Sequence, residues 1–331
     1  VAPRPLRPRT GASGPRAALA AAAATAATAG AAVTGRGGKR RSRQGAAGVF
    51  RRSLAAAPEP GGPPGAFFEP WAEWLQRHLL SDFQGLQQQS LPSRLASAGE
   101  TPGATIGTRV FSGEFAQGSP IRRFRVTLVS DGERLQAMNA AVYPAYELGP
   151  VPIFGSDLLS FNGHQRMLFG VDWAPMAADE AYAEANIAPY VSEIRWGPRG
   201  AALAGEPSNR IYGERPEFFS PHMFFARPTS GEALQPEAEL WQVFCDYATQ
   251  YSAMLRDAVA RAPVDSTAVS LAQQRQAAFD HWHAERDPAL PIFKRMFGGD
   301  WTEEFTDSVL FPGSVLVRST ATAEPTPPHE G

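Results

Sequence analysis

Leu135-Gln136-Ala137-Met138-Asn139-Ala140-Ala141-Val142-Tyr143 and Pro152-Ile153-Phe154-Gly155-Ser156-Asp157-Leu158-Leu159-Ser160-Phe161 are two runs of strand length joined by the proline-bounded connection Pro144 to Pro150. Strand side chains alternate between faces, so register decides which residues share a surface. A connection symmetric about residue 148 sets Asn139 directly opposite Asp157. Ile153, Gly155, Asp157, Leu159 and Phe161 then lie on one side of the second run. A carboxyl among apolar residues and a glycine is partly desolvated, which raises its pKa and suits it to general acid work. A buried Asp that caps a turn or pairs with an Arg fits the same pattern, and periodicity does not choose between them.

Working outward, Phe124, Val126 and Leu128 alternate with Arg123, Arg125 and Thr127, and Asp131-Gly132 follows with the residues of a tight hairpin turn. Asn162-Gly163 predicts a second two-residue turn, leading into a strand over His164 to Trp173. These runs form an antiparallel meander. Before it, Phe68, Trp71, Trp74, Leu75, His78 and Leu79 recur at three and four spacings and predict a helix within Phe67 to Gln89, followed by a polar connection from Leu91 to Gly103.

After the meander, the Ala- and Glu-rich stretch Ala178 to Trp196 reads as helix, Gly197 to Pro207 as loop and Phe218 to Arg227 as strand. Leu240, Val243, Phe244, Tyr247, Tyr251, Met254 and Leu255 form one apolar stripe, which is a core-facing helix. Two or three further helices run to about Leu310. Helices, antiparallel strands and helices again make one α+β domain with helices packed on a central sheet.

The ends differ from this middle. Of 31 basic and 33 acidic residues in the whole chain, the first sixty hold eleven basic and one acidic, leaving 20 basic against 32 acidic, or −12, for the rest. An Arg-rich, acid-poor leader with the Ala-rich run Ala17 to Ala32 has the composition of an organelle transit segment. We therefore expect residues 1–60 to be a disordered plastid-targeting segment, 61–315 a single domain, and 316–331 a disordered tail. Ala17 to Ala32 is too short and weakly apolar for a membrane span, and no other run qualifies.

Function classes drop out in turn. One cysteine, Cys245, forms no intrachain disulfide, no iron–sulfur cluster and no thiolate zinc site. His281 and His283 are two apart, which on a helix does not aim both at one ligand, and they read as solvated. No Gly-x-Gly-x-x-Gly opens a helix and no phosphate-loop Gly-Lys-Ser/Thr occurs. The negative balance argues against nucleic acid.

Five pieces in order resemble the ferredoxin-dependent bilin reductases. They are Leu135 to Pro144 with Val151 to Asp157; Val171-Asp172-Trp173-Ala174-Pro175; Glu217 to Pro221 with Phe224 to Pro228; Glu285-Arg286-Asp287-Pro288-Ala289 through Phe297-Gly298-Gly299-Asp300-Trp301; and Ser308 to Phe311. The resemblance covers about Phe68 to Phe311. It implies a three-layer α/β/α sandwich with a central antiparallel sheet, and a bilin held between the sheet and the C-terminal helices. Electrons then come singly from reduced ferredoxin, with no metal or other cofactor bound, and side chains supply the protons.

The same resemblance assigns roles. Asp157 matches the family's central proton-donating aspartate, and Asn139 stands where the phycocyanobilin-producing branch has a histidine and the phycoerythrobilin branch usually has an asparagine. Glu214, within Tyr212-Gly213-Glu214-Arg215-Pro216, falls where A-ring reducers carry a second aspartate. Arg166 and Arg210 match positions on the propionate side, where an Arg fork suits a carboxylate, although a surface salt bridge explains either equally well. Asp287 is expected to contact the substrate.

The activity so implied is reduction of biliverdin IXα at the C15 methine bridge to 15,16-dihydrobiliverdin, with a second bilin reductase taking the product on to phycoerythrobilin. The alternatives are A-ring reduction of 15,16-dihydrobiliverdin and a non-catalytic bilin carrier. Red chlorophyll catabolite reductases share the implied fold.

Overall fold

The structure is a computed structural model and describes residues 67–315 apart from 99–103, 133, 195, 205–217, 229–233 and 236–237. All of these belong to one compact unit, Ala56–Gly331. The expected targeting segment and tail lie outside the described residues.

Among the described residues eight strands make one antiparallel sheet: β1 (Gln87–Gln88), β2 (Ser97–Ala98), β3 (Ala104–Ser112), β4 (Ile121–Asp131), β5 (Leu135–Pro144), β6 (Ile153–Phe161), β7 (Arg166–Ala174) and β8 (Phe224–Ala226). The order is β1-β3-β4-β5-β6-β7-β8, with β2 also on β3, so β4 to β7 is the expected meander and β3 extends it by one strand. Asn139 pairs with Asp157, as the symmetric connection requires.

Helices flank both faces. They are α1 (Glu69–Asp82), α2 (Ser93–Ala96), α3 (Glu180–Asn186), α4 (Ala188–Val191), α5 (Gly197–Leu203), α6 (Glu239–Arg261), α7 (Ser266–Arg286), α8 (Leu290–Phe297) and α9 (Gly299–Phe305), then a π-helical turn at Thr306–Leu310. On one face Trp71 and Leu75 of α1 and the whole predicted stripe of α6 close over Phe124, Val126, Met138, Val142, Phe154, Leu158, Phe169 and Trp173. Tyr251 ties α6 to the strands by donating to the carbonyls of Pro152 (2.8 Å) and Val142 (3.2 Å). On the other face Phe279 of α7 packs with Tyr143 and Ile153, and Phe293, Phe297 and Phe305 pack with Ile106, Val129 and Leu135. The result is the expected three-layer α/β/α arrangement. Among the described residues no helix is long and apolar enough to cross a membrane.

Several local expectations are corrected. The first helix stops at Asp82, because Gly85 takes φ 78° and the chain then turns into β1. The β6–β7 turn holds four residues rather than two, since Phe161 pairs with Arg166 and Asn162, Gly163 and His164 are all left-handed. Pro189 starts a new helix, so the stretch after β7 is split into α3 and α4. Gly197 to Leu203 is helical, with proline in its first turn where no amide partner is needed. Only Phe224–Ala226 of the predicted Phe218 to Arg227 strand pairs.

Candidate active site

The pleat puts Arg123, Arg125, Thr127 and Val129 of β4, Leu135, Ala137, Asn139, Ala141 and Tyr143 of β5, and Gly155, Asp157, Leu159 and Phe161 of β6 on the face toward α7 and α8. In β6 the opposite set, Phe154, Ser156, Leu158 and Ser160, is fully buried against α1 and α6, while Gly155, Asp157, Leu159 and Phe161 are only half-buried. A cleft runs along that looser face. Its floor is Thr127, Val129, Asn139, Asp157 and Leu159, and its roof is Asp287, Ala289, Ile292, Phe293 and Leu310.

On the floor the Asn139 side-chain amide donates to Asp157 Oδ1. Burial pushes the Asp157 carboxyl above its ordinary value, opposed by that hydrogen bond and by the Arg125 charge. Asn139 Oδ1 is buried with no partner among the described residues, leaving an acceptor for an N–H group entering the cleft.

The roof follows from the spacing of α7. Gln276, Asp280 and His283, with Asp287 at the C-cap, are four, three and four apart, which aims all of them at the sheet. Gln276 donates to the Pro144 carbonyl (3.0 Å) and accepts from Arg122 Nε (2.6 Å). Asp280 accepts from Tyr143 Oη (2.7 Å) and the Gly313 amide (2.8 Å). His283 Nδ1 meets the Phe279 carbonyl at 2.9 Å, so that nitrogen carries the proton; burial lowers the ring to about 4 and keeps it neutral.

At the end of α7 the ring of Pro288 disfavours helical backbone in the residue before it, and Asp287 is extended. There Asp287 Oδ1 accepts from the Ala289 amide (2.7 Å). Its carboxyl is raised to about 6, first by burial and then by the neighbouring Asp157.

Of the residues singled out by sequence, the structure brings Asp157, Asn139 and Asp287 together. Arg166 shares their face but stands exposed four residues along the sheet from the Asp157 row, about 13 Å away at strand rise, with its guanidinium 6.0 Å from the Phe161 ring centre. It marks the rim. Glu214 and Arg210 lie outside the described residues.

Sequence reasoning missed two members. His283 was expected in solvent with His281; only His281 faces a partly exposed carboxylate, Glu285 at 3.3 Å, whereas the His283 ring packs between Phe279 and Phe311. Arg125 was grouped with the polar side of a half-exposed strand, yet is 1% exposed. The signal for both was the three and four spacing of Asp280, His283 and Asp287, which marks a helix face covering that side of the sheet. A further buried carboxyl, Asp172 of β7, accepts from the Ser220 amide (2.7 Å) and hydroxyl and is raised by burial to about 7.

Comparison with known proteins agrees in fold and sequence. A family model described as ferredoxin-dependent bilin reductase matches residues 75–312. The 15,16-dihydrobiliverdin:ferredoxin oxidoreductase of Gloeobacter violaceus is 30% identical over 254 residues, covering 75% of this chain and 96% of that protein. Its namesake from Nostoc punctiforme is 30% identical over 258 residues, covering 77% and 98%. The crystal structure of phytochromobilin synthase from tomato in complex with biliverdin superposes with a TM-score of 0.59 at 18% identity, covering 75% of this chain and 84% of that one, a likeness of fold.

Proposed function

The chain belongs to the ferredoxin-dependent bilin reductases, and on that premise we propose that it reduces biliverdin IXα at the C15 methine bridge to 15,16-dihydrobiliverdin. Membership makes it an oxidoreductase that draws electrons from ferredoxin. The relatives' names, written as donor and acceptor, put 15,16-dihydrobiliverdin on the reduced side of the couple. Run in the direction that ferredoxin drives, two electrons and two protons convert biliverdin into that bilin.

The observation that carries the reading is the Asp157 carboxyl, raised by burial and held by the Asn139 amide on the floor of a cleft. A carboxyl so placed gives up its proton when the bilin above it becomes more basic on accepting an electron. Asp287 on the roof supplies the second proton. Asn139 fixes the orientation of Asp157 and offers its free oxygen to a pyrrole N–H. Arg166 at the rim takes a propionate, and Arg210 and Glu214 are assigned to the propionate side and to an auxiliary acid. The basic leader supports delivery to the plastid stroma, and transfer of the product to a second bilin reductase completes phycoerythrobilin synthesis.

Anaerobic turnover of purified protein with biliverdin and reduced ferredoxin, followed by chromatography of the product, tests the reading. The expected product is 15,16-dihydrobiliverdin. Reduction of added 15,16-dihydrobiliverdin instead would move the chemistry to the A-ring, and a bound bilin that is never reduced would make the chain a carrier.

A further inference from the structure

Arg125 is a buried cation without a counter-ion among the described residues. It sits on β4, two residues from the cleft-lining Thr127 and on the same face, and is 1% exposed. Among the described residues its guanidinium makes one hydrogen bond, from Nη1 to Thr127 Oγ1 at 3.2 Å, and Nε is buried with no partner. Thr127 Oγ1 in turn accepts from Thr108 (3.2 Å), which fixes the hydroxyl that Arg125 uses. Arg cannot shed its charge in a protein, and a buried charge without a partner is strongly destabilising unless something nearby balances it. Buried arginines normally meet a carboxylate in a two-pronged pair. Among the described residues this one meets none.

The groups around it are nearly all proton carriers. From β6 comes Asp157; from α7 and its cap, Asp280, His283 and Asp287; from β5, Tyr143; and on its own strand, Arg123, whose Nη2 donates to the Val309 carbonyl. Asp280 is already satisfied by Tyr143 and Gly313. The Arg125 charge acts on both Asp157 and Asp287.

We propose that Arg125 is the internal counter-cation of the reacting site, the fixed positive charge that balances the carboxylates left on Asp157 and Asp287 when they protonate the bilin. The inference rests on the function proposed above. Each proton transfer breaks a carboxyl O–H bond, forms a bond from hydrogen to the bilin, leaves a carboxylate, and is matched by one electron from a reduced ferredoxin. Two transfers leave two negative charges in a water-poor cleft until solvent returns the protons. Among the described residues neither carboxyl forms a salt bridge with the guanidinium; the charges it balances are generated by the reaction. Arg125 is thus a positioning residue that acts through the two acids.

Arg125→Gln is compared with Arg125→Lys and wild type for biliverdin binding, followed by its visible spectrum, and for the pH dependence of kcat/KM with reduced ferredoxin. Loss of the charge makes both carboxyls weaker acids. The glutamine variant should bind biliverdin, turn over at least tenfold more slowly near neutrality, and show its alkaline limb displaced upward by about one pH unit, the lower end of what a close opposite charge does to a carboxyl. Lysine should restore the wild-type limb. Arg125→Met, which keeps the packed stem, replaces the glutamine variant if that chain fails to fold. A slowed variant whose limb has not moved, or a lysine variant displaced as far as the neutral one, overturns the inference. If wild type itself reduces no bilin, the proposed function fails instead.

Discussion

The carboxyls of Asp157 and Asp287 face one another across the cleft, one from the middle of β6 and the other from the residue that ends α7. Neither has a salt bridge among the described residues, and burial raises both. A pair of acids on opposite walls can protonate two positions of a flat substrate lying between them.

Asp157→Asn keeps the shape and the contact with Asn139 while removing the acid. Biliverdin binding, measured by its visible spectrum, is expected to persist, and turnover to fall by about 10²–10⁴-fold. A bilin radical should accumulate, because electron delivery is intact; it is followed by electron paramagnetic resonance. Near wild-type turnover would return Asp157 to a structural role.

The pH dependence has a defined sign. Asp287 is raised to about 6, so its proton is present below that value and lost as pH rises through it. kcat/KM should decline on the alkaline side from about pH 6 to 7, and Asp287→Asn should remove that limb along with most of the rate. Asn139→Ala takes away a hydrogen bond that favours the Asp157 carboxylate, and is expected to move the Asp157 contribution upward.

Arg166→Ala tests the rim. The side chain is exposed, so its grip on a propionate is screened by water, and KM for biliverdin should rise several-fold with kcat nearly unchanged. An unchanged KM would leave Arg166 as surface charge.

Asp172 predicts a stability effect rather than a rate effect. Burial raises it to about 7, so the folded chain holds a proton there that the unfolded chain, with an ordinary carboxyl, releases. That stability is complete below about pH 4 and is lost as pH rises through 7, by roughly 4 kcal/mol at most. Asp172→Asn should flatten the dependence of the denaturation midpoint on pH between about 4 and 7.

Turnover should slow as salt is raised from about 50 to 300 mM, because screening weakens attraction between exposed charges. The chain beyond its leader is −12 overall, so an acidic ferredoxin must find local cations. Exposed Arg134, Arg166, Arg286, Lys294 and Arg295 are available among the described residues. A rate indifferent to ionic strength would exclude a charge-steered encounter.

How much of this was legible in the sequence depended on the range of the interaction. The Asn139–Asp157 pairing could be read because two strands joined by a short connection have few registers available. The α6 stripe could be read because seven buried positions share one helical period. Arg125 and His283 were only partly legible: the three and four spacing of Asp280, His283 and Asp287 marks one polar helix face, but which strands that face covers is decided by where α7 docks, and that is set by residues far away in sequence. The four-residue turn at Asn162 was hidden because Asn-Gly fits a two-residue hairpin equally well, and the left-handed His164 carries no local signal of its own.

Because every strand from β3 to β7 pairs with its neighbour in the chain, the sheet closes only short loops and needs no distant segment to set its register. The roof, from Asp287 to Leu310, comes from a part of the sequence far beyond the sheet. The cleft is therefore a seam between two parts of the chain distant in sequence, and a pigment lodged in it bridges the two. Occupancy at about a hundred times the dissociation constant would add about 2.7 kcal/mol to the folded state, so that the substrate also acts as a staple, and the empty enzyme is the form most exposed to heat and proteolysis.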